Sequence, residues 1–360
     1  MKFTTNKPEL EKALKAVSRM AKSAKLGVLV QAKQDKVTLT VRDLHNSMAI
    51  DIDADVEATG ATVVDCKLFL ESIKPCQQAV TVEKNGRLHI TDGLASISLT
   101  PSPADNYPVI ECAEDFAPAF TISQPVLKSM LSSAAFAMST DDMRPVLTGM
   151  HWQGSDAGLR IIAADGFKVV SHAQEVGNDV QVNSRFAITV SKEAVKELSS
   201  NLGKSGTVTA EVSYKHVRLS FDSFLMVFRL LDGTYINVDQ YYPQKFVTEW
   251  TFNSKELVAV LKRVMSITGK DAAVNFKLSG DGVSLYSKNN DTGAEHREGF
   301  KCQVTGEDMD IIFNAKMLGE AISSIPGKVT VHLTYHLGPC IIKTEDVPGK
   351  WILAMPIRLT

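Results

Sequence analysis

The sequence predicts an α+β fold made of three copies of one unit. Three observations carry that reading: an aromatic-led helix pattern that occurs three times, a lysine-led helix pattern in each third, and period-two segments between them. The first pattern is Phe3 with Leu10 and Leu14, Phe120 with Leu127 and Leu131, and Trp250 with Leu257 and Leu261, with offsets of 7 and 11 in each copy. Those offsets place both leucines on one helical face, entered from a preceding strand. Asn6, Ser123 and Asn253 are positioned as N-caps, and Pro8 and Pro125 suit a first helical turn.

The second pattern reads Lys67-Leu-Phe-Leu-Glu-Ser-Ile73, Lys192-Glu-Ala-Val-Lys-Glu-Leu198 and Lys316-Met-Leu-Gly-Glu-Ala-Ile322. Its leading lysines stand 125 and 124 residues apart, and Gly319 weakens the third copy. Val37–Val41, Ile50–Val56, Val208–Val212 and Val329–Leu333 alternate as half-buried strands. Lys84–Arg87 and Ser279–Gly282 have the composition of hairpin turns. The units are expected at 1–117, 118–247 and 248–360, with boundaries beside the Pro- and Asp-bearing stretches Pro101–Pro118 and Asp232–Pro243.

The whole chain has 360 residues, 39 Lys and Arg against 41 Asp and Glu, and a net charge of −2. Near-neutrality excludes a wholly basic nucleic-acid binder but not one that segregates its charge. The six helical segments, taken as 7–22, 67–74, 125–138, 192–204, 255–270 and 316–328, carry a net +10, which leaves −12 elsewhere. If the helices share a surface, it suits sequence-independent phosphate contact. Asp51, Asp53, Asp55 and Glu57 are read as four acids on the outer face of one strand.

Catalytic and metal motifs are not found. Asp51-x-Asp53-x-Asp55 lacks the Gly and Glu of a calcium loop, having Val56 and Thr62 at those positions. Gly203-Lys204-Ser205 lacks the earlier glycine of a phosphate loop. His332 and His336, if on one strand face, stand about 13 Å apart, too far to share an ion. The five cysteines (66, 76, 112, 302 and 340) form no C-x-x-C pair and read as thiols in a reducing compartment. No secretory leader or membrane span is expected, so the cytoplasm is the expected location and no cofactor is expected.

Several segments together resemble the bacterial sliding-clamp family, the β subunits of DNA polymerase III. They are Met1-Lys2-Phe3-Thr4, Asp142-Met-Arg144 with Leu147-x-Gly149-Met150, Ala164-Asp165-Gly166, Leu231-Asp232-Gly233 with Tyr242-Pro243, and Met355-Pro-Ile-Arg-Leu359. The resemblance implies a head-to-tail homodimeric ring of six similar domains, with helices lining a hole threaded by duplex DNA. It implies no catalysis by the clamp, a clamp loader that supplies ATP-driven opening, and polymerase and repair proteins that dock through short peptides.

Carried over residue by residue, the peptide pocket is expected from Leu147, Ala164, Gly166, Phe167, Lys168 and Val169, from Ile236, Gln240 and Tyr241, and from Leu337, Pro339, Leu353, Met355, Pro356, Ile357 and Arg358. The family's Thr-Asp-Gly-His-Arg-Leu is here Ala164-Asp-Gly-Phe-Lys-Val169, so an altered peptide preference is expected. Lys22, Lys25, Lys74, Lys192, Lys196, Lys204, Lys262 and Arg263 are expected to face DNA. Ile97 and Leu99 are expected to meet Met265 and Ile267 of a second copy. The rival readings are a ring-less module that competes for partner peptides and an α+β DNA-processing enzyme.

Overall fold

The computed structural model describes residues 1–24, 26–105, 107–108 and 115–358, the side chains of Ser23 and Ala24 excepted. Six α-helices occur among them: α1 (Lys7–Ala24), α2 (Cys66–Ile73), α3 (Gln124–Ala134), α4 (Lys192–Asn201), α5 (Ser254–Thr268) and α6 (Ala315–Ser323). They form where both helix patterns predict. Phe3, Phe120 and Trp250 and all six spaced leucines are completely buried.

The three aromatic-led helices start alike, but not by the predicted caps. Lys7 N donates to Gln78 O, Gln124 N to Gly206 O and Ser254 N to Gly327 O, each at 2.9 Å. A turn carbonyl thus takes the first free amide of each helix, a group otherwise left to a side-chain cap. Only Asn253 also caps with its side chain, accepting from Lys255 N at 3.0 Å. Asn6 instead ends the Lys2–Asn6 strand, and the Ser123 Oγ is buried without a hydrogen-bond partner. Asp65 and Asn314, which the sequence reading passed over, cap α2 and α6.

The chain divides into two compact units that cut across the repeats. One is Met1–Pro125 with Glu193–Leu230, the other Val126–Lys192 with Leu231–Thr360. The cause is sheet continuity. In the first unit the Phe224–Arg229 strand pairs antiparallel with Asn46–Asp53, from Phe224↔Ile50 to Phe228↔Asn46. In the second, Lys350–Ala354 pairs with Lys168–Glu175, from Ala354↔Lys168 to Lys350↔His172. Each junction therefore joins the last strand of one repeat to an inner strand of the repeat before it.

Two sheets stay within a repeat. A five-stranded sheet runs Asp55–Ala58, Lys2–Asn6, Ala79–Asn85, Arg87–Thr91, Ser96–Leu99. A four-stranded sheet runs Glu295–Phe300, Gly282–Lys288, Ala273–Ser279, Met309–Asn314.

Several expectations are corrected. Ile50–Val56 is not one strand: Asn46–Asp53 and Asp55–Ala58 lie in different sheets, so the four acids do not share a strand. The break falls at Ala54, whose N–H turns back to Asp35 O at 3.1 Å. His336 leaves the His332 strand, which ends at Leu333, so the two do not share a face. Helices end sooner than assumed, leaving Lys74, Lys204, Lys270 and Lys328 outside them; the helical charge is +6 and the remainder −8. Four cysteines are free thiols, and Cys112 lies outside the described residues.

Gly319 is buried where α6 packs on α5. An added Cβ there would stand 3.8 Å from Leu261 Cδ1 and 3.9 Å from Met265 Cε, ordinary contact distances. Gly319→Ala is therefore expected to stabilise the protein by about 0.5–1 kcal/mol, since it restricts the unfolded chain without a clash. Urea unfolding should show a raised midpoint at unchanged slope.

Candidate functional site

Two surfaces follow from these elements: a basic helix face and an apolar cluster on a shared sheet. On α1, Lys12, Lys15, Arg19 and Lys22 are exposed at spacings of 3, 4 and 3, opposite the buried Leu10, Leu14 and Val17. That spacing makes one stripe along the helix. Lys15 pairs with Glu11 at 2.6 Å. Arg19 reaches α4, donating to Asn201 Oδ1 at 3.4 Å and lying 3.9 Å from Glu197. Burial pushes the Glu197 carboxyl up, with Arg19 opposing.

Of the predicted DNA-facing residues, Lys22, Lys74, Lys192, Lys196, Lys204 and Lys262 are exposed. Lys74 pairs with Glu71 at 2.7 Å, and Arg263 forks onto both carboxylate oxygens of Glu298. Lys25 lies outside the described residues. Lys12, Lys15 and Arg19 were missed, although their spacing was legible.

The apolar cluster lies in the second unit. Leu147, Ile162, Ala164, Val169, Tyr235, Val238, Ile341 and Leu353 pack together, with Ile236, Tyr242, Phe246, Trp351 and Met355 against them. Of the predicted pocket residues it gathers Leu147, Ala164, Val169, Ile236, Leu353 and Met355. Gly166 takes φ +98° at a turn that exposes Phe167, and Lys168 pairs with Asp165. Gln240 and Tyr241 lie on the exposed side of the Val238–Tyr241 3-10 helix.

Leu337 and Pro339 are half-buried in the turn after the Lys328–Leu333 strand, outside the cluster. Pro356, Ile357 and Arg358 also lie outside it, with Ile357 N bonded to Ile312 O at 2.8 Å on the four-stranded sheet. The cluster is closed: Leu147, Val169 and Leu353 are only 3–6% exposed. The connecting segment sends in Tyr235 and Val238, and strand alternation places Ile162 beside Ala164; that alternation was a usable signal.

Of the predicted interface residues, Ile97 and Leu99 are half-buried on the Ser96–Leu99 strand. On α5, Met265 is half-buried and Ile267 exposed.

A buried cation sits at the sheet junction in the second unit. Lys350 Nζ donates to Ser324 O at 2.5 Å and Ser324 Oγ at 3.1 Å. Burial lowers its pKa to about 8, and burial also lowers that of His172, its ladder partner, to about 4. The folded state thus holds a lysine proton less tightly than the unfolded chain. Stability should rise as pH climbs from about 8 towards the ordinary lysine value of 10.5. Lys350→Met is expected to remove that rise, because no proton is then gained on unfolding; urea unfolding of both proteins from pH 7 to 10.5 checks it.

Among the described residues no group of three or more His, Cys, Asp or Glu could hold a metal ion, and no helix is long and apolar enough to cross a membrane. Family models of the DNA polymerase III beta subunit match in chain order: the N-terminal domain over residues 1–111, the central domain over 121–237 and the C-terminal domain over 239–358. The chain belongs to the DNA polymerase III β-subunit family. It is similar to the beta sliding clamps of Bacillus subtilis, 26% identical over 99% of this chain and 100% of that one, and of Synechocystis, 28% identical over 100% of both. The crystal structure of the β subunit from Thermotoga maritima matches over 100% of both chains at TM-score 0.90 and 26% identity. As a β subunit the chain is a sliding clamp, the non-catalytic processivity factor of a DNA polymerase.

Proposed function

We propose that two copies of this chain close head to tail into a ring around duplex DNA. The observation that carries the reading is the repeated junction. Twice within the chain, the last strand of one repeat pairs with an inner strand of the preceding one: Phe224–Arg229 with Asn46–Asp53, and Lys350–Ala354 with Lys168–Glu175. The equivalent strands left over are Ser96–Leu99, at the end of the five-stranded sheet, and Glu295–Phe300, at the end of the four-stranded one. Each suits the other strand of a second copy, because sheet ends carry backbone groups that seek partners. Ile97 and Leu99 then belong to the interface, with Met265 and Ile267 on the facing copy.

The repeats act as clamp domains 1–117, 118–247 and 248–360. Lys22 and the other exposed lysines, joined by Lys12, Lys15 and Arg19, face the DNA and contact phosphates without reading sequence. A clamp loader opens the ring, and the polymerase and repair proteins engage by short peptides that enter the apolar cluster between Leu147, Val169 and Leu353. The closed cluster must part to admit them. Loading onto nicked circular DNA followed by linearisation tests the ring: the protein should slide off the new ends, and retention there overturns the topological mechanism.

A further inference from the structure

The sheet face that carries the apolar cluster continues beyond it. Ala164, Val169, Leu353 and Ile341 form one row across the ladder, through the pairs Ala164↔Val169, Val169↔Leu353 and Leu353↔Ile341. Side chains two residues apart on a strand share a face, so Ile162, Ser171, Trp351 and Lys343 form the next row and Arg160 begins a third. There a cavity of about 500 Å³ opens, with Arg160, Ser171, Asp239, Lys343 and Trp351 in its lining.

Its chemistry differs from that of the cluster. Arg160 lies 5.8 Å from the Trp351 ring, and Lys343 Nζ lies 5.0 Å from the Tyr242 ring, which meets Trp351 edge-on. Among the described residues Lys343 forms no ion pair. Arg160 already holds a carboxylate in a fork, donating to Asp239 Oδ1 at 2.6 Å and Oδ2 at 2.9 Å, while its Nε donates to Ser171 Oγ. Asp239 comes from the connecting segment, and its side chain is 61% exposed. Two cations against one exchangeable carboxylate, beside aromatic walls, make a place for a further acid.

We propose that this cavity is a carboxylate subsite continuous with the apolar cluster, and that its ligand is an aspartate or glutamate of the partner peptide whose apolar residues fill that cluster. The inference rests on the reading of the cluster as a peptide site. The rows lie two and four residues apart along the strands, about 7–13 Å, which sets the acid roughly two to four residues from the apolar anchor. Asp239 holds the Arg160 fork until the incoming acid displaces it.

Fluorescein-labelled Leu-Phe-Gly-Gly-Glu-Glu and Glu-Glu-Gly-Gly-Leu-Phe, each with a glutamine twin, test this by anisotropy. One order should bind about tenfold more tightly than its twin, as a charge-assisted hydrogen bond implies. Lys343→Gln should abolish that gain, leaving acid and glutamine peptides equal in affinity, and Asp239→Asn should enlarge it. Equal affinity of acid and amide peptides in both orders overturns the subsite, as does a gain that survives Lys343→Gln. If only the acid peptides bind, and through Lys343, the subsite stands and the reading of the cluster fails. If Val169→Glu weakens the glutamine twins but no acid-dependent gain exists, the cluster reading stands and the subsite fails.

Discussion

A chain carrying Asp at both positions 97 and 99 is expected to sediment as a monomer at micromolar concentration, where a dimer is expected of the unaltered chain. Ile97 and Leu99 point to one face of the last strand of their sheet, alternating with the exposed Ser96 and Ser98. If that strand pairs with Glu295–Phe300 of a second copy, their side chains are covered on assembly. A carboxylate placed there is desolvated against the apolar Met265 and Ile267 proposed for the facing copy, at several kcal/mol per ion. A head-to-tail ring of two has two such interfaces, so four added charges are desolvated.

Association weakened a thousandfold or more follows, since each 1.4 kcal/mol is tenfold. The altered protein should also leave closed circular DNA without any linearisation. Ser96→Asp, on the opposite face, is the control and should leave the dimer intact. A dimer that persists in the double variant would place the interface on another surface. A double variant with lost far-ultraviolet signal would indicate unfolding, which the half-buried setting of both residues argues against.

Much of this fold was legible because its repeat is written in large apolar residues. Phe3, Phe120, Trp250 and the leucines at fixed offsets are all completely buried, so burial pressure imprints them on the sequence. The sheet junctions were not legible. Pairing of Phe224–Arg229 with Asn46–Asp53 joins residues about 180 positions apart in sequence, and backbone hydrogen bonds leave no residue-type signature. The helix starts misled for a related reason: carbonyls of Gln78, Gly206 and Gly327 perform what Asn6 and Ser123 were expected to do.

At the apolar cluster, resemblance supplied Leu147, Val169 and Leu353 but also surface neighbours such as Gln240 and Tyr241. Local alternation would have separated them: Tyr235 and Val238, three apart across a short turn, are the inward pair of the connecting segment. The helices remain net positive but by less than the sequence suggests, because Lys74, Lys204, Lys270 and Lys328 cap or follow them.

Replacing Lys12, Lys15, Arg19 and Lys22 together by glutamine keeps helix propensity and the apolar stems while removing four charges. Each phosphate contact releases counterions, so losing four should lower the slope of log affinity against log salt by about 3–4 and weaken duplex binding roughly a hundredfold at low salt. Two features pull that figure down. Lys15 is already paired with Glu11, and Arg19 is drawn towards Asn201 and Glu197, so both bring less free charge to DNA than Lys12 and Lys22 do.

A drop of about 2 in slope is therefore the floor, with Lys12→Gln and Lys22→Gln accounting for most of it. Titration of two duplexes of unrelated sequence over a range of salt should show the same loss on both, as backbone contact requires. An unchanged slope would mean that this face of α1 is turned away from DNA. Retention of the loaded variant on closed circular DNA should persist, because a ring is held by topology rather than by these contacts. Weak duplex binding together with undiminished retention on the circle is the pair of results that separates a sliding tether from an ordinary DNA-binding protein.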